Sequence, residues 1–153
     1  VDQKELINQV KKLREELGLG IMEIKAALEE AKGDEAKAKQ ILKDKGFAKA
    51  EKRAEREVKA GRVATYTHTT GMVGAMVELL CETDFVAKNE EFIGVSRDLC
   101  LQVVAMDPAT VEDLLEQEFI KDGSLKIKDI VTALSAKFGE NIKIGRMARF
   151  SLN

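Results

Sequence analysis

Met72-Val73-Gly74-Ala75-Met76-Val77-Glu78-Leu79-Leu80-Cys81-Glu82-Thr83-Asp84-Phe85-Val86-Ala87-Lys88-Asn89-Glu90 is where this chain changes its period. Up to Glu82, the residues Val73, Ala75, Val77, Leu79 and Cys81 recur at every second position, which puts them on one face of a half-buried strand. From Asn89 onward Phe92, Val95, Leu99 and Val103 recur at helical spacing as far as about Met106, and Asp107-Pro108 ends the helix. Between the two periods stands Asp84-Phe85. On residue chemistry alone, Phe85 belongs to a core and Asp84 caps a helix. A strand handing over to a helix in this way predicts a small sheet with helices laid on it.

The flanking segments extend that pattern. Residues 62–68 alternate β-favouring side chains, and Thr69-Thr70-Gly71 suits a hairpin loop. Thr110 with Asp113 resembles a capping box for a short helix through Leu114 and Leu115, although the usual partner is Glu or Gln. Ser124 is placed to cap a further helix, with Ile127, Ile130, Val131 and Leu134 inward and Gly139 at its end. Residues 141–150 form a last strand. Its alternation through Ile142 and Ile144 breaks at Gly145, which predicts a bulge before Met147 and Phe150. Residues 62–153 are therefore expected to be an α+β core, a small three-stranded antiparallel sheet covered by helices.

Residues 1–46 carry a different pattern. Leu6, Val10, Leu13 and Leu17 form a stripe on one helix, which Gly18-Leu19-Gly20 interrupts. Ile24, Ala27, Leu28 and Ala31 mark a second helix ending at Gly33. Asp34 caps a third, which carries Ala38, Ile41 and Leu42 and is expected to stop at Gly46. Three helices of this size bury only a thin core and suit a docking module. Residues 47–61 lack an apolar stripe and predict a solvated helical linker, with Glu55 and Lys59 in the favourable i,i+4 order.

Composition excludes several functions. The 153 residues are 44% apolar and 34% charged, which is globular, and no run approaches the roughly 18 apolar residues of a membrane helix. Residues 49–62 hold six basic and three acidic side chains, a candidate nucleic-acid stripe. Its acids interrupt it, aromatics make up only 5% of the chain, and the net charge is −2, so direct nucleic-acid binding is not expected. Residues 1–5 hold no apolar segment resembling a signal peptide, and Cys81 and Cys100 form no CxxC motif. Both point to a cytoplasmic protein with reduced, buried thiols.

Catalytic chemistry is thinly represented. His68 is the one histidine and lies among threonines on a predicted strand, with no positioned nucleophile in view. Gly18-Leu19-Gly20 follows a helix and lacks the third glycine and the Lys-Ser/Thr pair of a phosphate loop. Glu82, Asp84, Glu90 and Glu91 cluster, but acids in a first helical turn are favoured by the dipole without any metal. Neither cofactor, metal nor enzyme activity is expected. Binding remains.

Three segments identify the kind of binding. Lys12-Leu13-Arg14-Glu15-Glu16-Leu17-Gly18-Leu19-Gly20-Ile21-Met22-Glu23-Ile24-Lys25-Ala26-Ala27-Leu28, the run from Cys81 to Asn89, and Lys137-Phe138-Gly139-Glu140-Asn141-Ile142-Lys143-Ile144 occur in this order. Together they resemble the elongation factor Ts family, guanine-nucleotide exchange factors for elongation factor Tu. The chain departs from that family at Leu17, where Thr is usual, and at Gly145, where a basic or polar residue is common. The resemblance implies a head similar to ubiquitin-associated domains, docking on factor Tu through Leu13, Ile21 and Met22. It implies that Thr83, Asp84, Phe85 and Val86 form an exchange wedge that disturbs magnesium and phosphate contacts in the partner. With room for one core only, it further implies a homodimer. Two other readings stay open: an interaction adaptor that uses the head and leaves GDP release unchanged, and an RNA-binding protein that uses residues 49–62.

Overall fold

The computed structural model describes residues 2–153. The three N-terminal stripes converge as expected: α1 (Gln3–Leu17), α2 (Ile21–Glu30) and α3 (Glu35–Arg53) enclose Val10, Leu13, Ile24, Ala27, Leu28, Ala38 and Leu42. Gly18 ends α1 at φ 68°, the left-handed conformation that glycine adopts without a Cβ penalty. Asp34 caps α3, its Oδ1 accepting from Lys37 N at 3.1 Å.

The expected stop at Gly46 is not there. α3 runs through it to Arg53 and lies along α7 (Ile127–Phe138). Gly46 is buried, and a Cβ on it would sit 3.7 Å from Thr132 Cγ2. A mid-helix glycine costs about 1 kcal/mol relative to alanine, and packing against a second helix offsets that. Lys43 Nζ lies 3.3 Å from Asp129 Oδ1, and Arg53 Nη1 donates to Ser135 O at 3.4 Å. Residues 47–53 are thus helical as expected, with Ala48, Lys49, Glu51 and Lys52 exposed, but they continue α3 and are tied to α7 through Arg53. The chain leaves the helix after Arg53, so Glu55 and Lys59 form no helical pair, and Lys59 Nζ lies instead 3.5 Å from Glu57.

In the rest of the chain, β1 (Ala60–Thr67), β2 (Val73–Cys81) and β5 (Lys143–Ser151) form an antiparallel sheet in the order β1-β2-β5. The inward face of β2 is the one its alternation predicts, with Ala75, Val77, Leu79 and Cys81 buried. α5 (Glu90–Met106) covers that face with Phe92, Leu99 and Val103. The bulge is present. Val77 pairs with Met147 but Leu79 with Ile144, so Gly145 and Arg146 both stand opposite Glu78. A Cβ on Gly145 would lie 3.1 Å from Glu78 Cβ, tighter than ordinary contact. Arg146 Nε and Nη2 donate to Glu78 at 2.8 and 3.0 Å. Those hydrogen bonds hold the Glu78 carboxyl below the usual carboxylate range.

A small hairpin was not foreseen. β3 (Glu118–Phe119) and β4 (Asp122–Lys126) form it after α6 (Val111–Glu116). Ser124 lies within β4 and caps nothing; its N and Oγ donate to Asp122 Oδ1, and α7 begins only at Ile127. Lys126 N donates to Asp129 Oδ2 at 2.9 Å, so the helix entrance is secured from inside its own first turn. Buried Gln102 clamps the hairpin, donating to Glu118 O and accepting from Ile120 N, each at 2.9 Å.

Cys81 and Cys100 are free and buried, and desolvation pushes both thiols up to about 11. Since the thiolate is the reactive form, Ellman's reagent is expected to titrate neither thiol rapidly in the native protein at neutral pH, and both after unfolding. Rapid native reaction at either position would contradict this packing. Among the described residues no helix is long and apolar enough to cross a membrane.

Candidate functional site

β2 ends at Cys81 and the chain turns directly into α4, the single helical turn Asp84–Ala87. Thr83 caps it: its Oγ1 accepts from Val86 N at 3.5 Å and donates to Glu140 Oε2 at 2.8 Å. Val86 and Ala87 are buried in the sheet–helix core and anchor the turn from beneath. Because those two positions face inward, Phe85 is turned out. Its side chain is 90% exposed, where burial would be worth about 1.5–3 kcal/mol. Thr83 and Asp84 are exposed beside it. The aromatic that residue chemistry assigns to a core is instead held in solvent by a well-anchored turn.

Two residues named for the site are buried. Val86 is buried, so it supports the turn and offers no contact surface. Leu13 is fully enclosed in the head core, among Val10, Ile24 and Leu28, and cannot touch a partner in this conformation. Ile21 and Met22 occupy the first turn of α2, just after Gly18-Leu19-Gly20, and are 48% and 74% exposed. That glycine turn joins two helices and displays apolar side chains.

The remaining chemistry-bearing residues are dispersed. His68 is exposed in the hairpin turn, its ring Nδ1 3.2 Å from Thr70 Oγ1. Of the clustered acids, Glu82 accepts from Asn141 N, and Glu91 pairs with Lys137. No three His, Cys, Asp or Glu side chains converge on a metal-sized site among the described residues. Sequence reasoning missed the participants from the far end of the chain. Glu140 and Asn141 reach the turn because Gly139, left-handed at φ 66°, ends α7 beside it. The signal was a polar pair directly after a helix-stopping glycine.

An α+β core with a helical head, displaying Phe85 on the anchored turn and Ile21 and Met22 at the start of α2, is the class of protein defined so far. The family model described as Elongation factor TS matches residues 82–153, beginning at this turn. An elongation factor Ts of Clostridium acetobutylicum is 46% identical over 142 residues, 93% of this chain and 46% of that protein. Those of Oleidesulfovibrio alaskensis and Maridesulfovibrio salexigens are 37% and 42% identical over 188 residues. These matches cover 94% of this chain and 95% and 91% of the relatives. The chain thus spans less than half the length of the Clostridium relative. The two longer alignments exceed its own 153 residues, so those relatives carry internal residues that it lacks. The chain belongs to the elongation factor Ts family, and its role is that of a translation elongation factor.

Proposed function

We propose that this protein accelerates GDP release from elongation factor Tu in the cytoplasm. Residues 1–46 dock on the partner, and residues 62–153 carry the exchange turn. The observation that carries the reading is Phe85, an exposed aromatic on a capped and anchored turn. In this reading Phe85 enters a groove between helices of factor Tu, with Asp84 orienting the entry, and holds those helices shifted. Magnesium and phosphate contacts weaken, so GDP leaves. The exchanger supplies no covalent step, cofactor or metal of its own. Its effect is coupled binding: it favours the nucleotide-free partner, and nucleotide reciprocally weakens its hold.

Burying one Phe side chain, at about 1.5–3 kcal/mol, corresponds to roughly 10- to 150-fold weaker nucleotide binding if all of it distorts the partner. Docking through Ile21 and Met22 must supply whatever acceleration lies beyond that. Stopped-flow release of a fluorescent GDP from factor Tu tests the function. Binding without faster release would make the protein an adaptor.

The outer face of the sheet supports a homodimer. Val63 and Met76 are exposed there, and the register brings Ala148 and Phe150 onto the same side. Phe150 is 79% exposed, while α5 covers only the opposite face. A second copy laid against this face would bury it, as sheets do in sandwiches. Sedimentation is expected to show a dimer that Phe150→Asp converts to monomer. A wild-type monomer at high concentration would end that part of the reading.

A further inference from the structure

We propose that Glu140 is a positioning residue for exchange, holding the Asp84-Phe85 turn in its displayed conformation. The proposal rests on the exchange reading above. Its basis is a three-point grip. Glu82 N and Thr83 N both donate to Glu140 Oε1 at 3.1 Å, and Thr83 Oγ1 donates to Oε2 at 2.8 Å. The two amides are those of the segment between β2 and α4, so neither strand nor helix otherwise claims them. One carboxylate therefore secures two backbone donors and the capping hydroxyl that in turn accepts from Val86 N. Hydrogen bonds to an ionised acceptor are the stronger kind, and a chain of them polarises its members.

Glu140 is itself fixed. Its backbone carbonyl accepts from Ser135 Oγ at 2.6 Å, pinning it to the last turns of α7. The next residue ties the same corner to the head: Asn141 Nδ2 donates to Ala54 O and Arg56 O at 3.3 and 2.8 Å, just beyond α3. Asn141 N donates to Glu82 Oε2 at 2.6 Å, closing the circuit at the base of the turn. Glu140 thus sits where the end of the head's longest helix, the end of α7 and the exchange turn meet. A four-residue helix has little intrinsic stability, so the direction in which Phe85 projects depends on what holds its entrance.

The test is a double-mutant cycle on GDP release from factor Tu, with Phe85→Ala, Glu140→Ala and both together. Glu140→Ala is expected to lower the maximal release rate about tenfold, the scale of one charge-assisted hydrogen bond, and to shift the half-saturating concentration less than twofold. In the Phe85→Ala background it is expected to change the rate less than twofold, because nothing remains for it to aim. Multiplying effects would overturn the proposal. Glu140→Gln keeps an amide oxygen for the two backbone donors and is expected to recover most of the rate; failure to recover it also counts against the proposal. Hydrogen exchange gives a readout independent of the partner: the Glu82 and Thr83 amides are expected to lose protection in Glu140→Ala and to retain it in Glu140→Gln. If the wild-type protein fails to accelerate release, the exchange reading falls. Protection at Glu82 and Thr83 then still decides whether Glu140 holds the turn.

Discussion

Replacing Phe85 with alanine is expected to slow GDP release from elongation factor Tu by roughly 10- to 150-fold, the range its burial in a partner would supply. The melting temperature should shift by about 2 °C or less. Phe85 is 90% exposed, so the folded protein loses almost no packing, and surface substitutions stay within about 0.5 kcal/mol. Alanine also favours α4 locally. The contrast is Phe92, seven positions on, which is wholly buried under the sheet. Phe92→Ala should cost about 3–5 kcal/mol through the cavity it leaves. It would lower activity only through the fraction unfolded. A Phe85→Ala variant that melts much earlier yet exchanges at full rate would return Phe85 to the core and end the exchange mechanism.

Period alone was enough for the sheet and its covering helix. Val77, Leu79 and Cys81 alternate because one face of β2 meets α5 while the other is left uncovered within the chain, and a one-residue slip would reverse every side chain. The bulge at Gly145 was legible for the same reason, since a break in alternation has nowhere else to go. Gly46 misled because the local penalty of a helical glycine is smaller than the gain from docking α3 on α7, which is invisible to a local reading. Ser124 misled because a serine that suits a cap also suits a tight hairpin, and Asp122 engaged it first. The site divides in the same way. Exposure of Phe85 contradicts its hydrophobicity, and only likeness to a family suggested that it faces outward. Glu140 lies more than fifty residues from the turn it grips, so no window of sequence joins the two.

Leu13→Ala separates support from contact within the head. Leu13 is fully buried among the few apolar side chains that three short helices enclose, and its truncation is expected to cost about 2–5 kcal/mol. A module of this size has little stability to spare, so α1 and α2 should open while the core, with its own apolar cluster, stays closed. Hydrogen exchange would then show lost protection across α1 and α2 and retained protection in β2 and α5. Binding to factor Tu would weaken because Ile21 and Met22 are no longer held at the tip of α2. Met22→Ala should do the reverse, since its side chain is 74% exposed: protection unchanged, half-saturating concentration raised. The two variants reach the same loss of docking by different physical routes, one through the fold and one through the surface. If Leu13→Ala kept native protection in α1 and α2 and weakened only partner binding, Leu13 would have to be a contact residue after all, reached through an opening of the head.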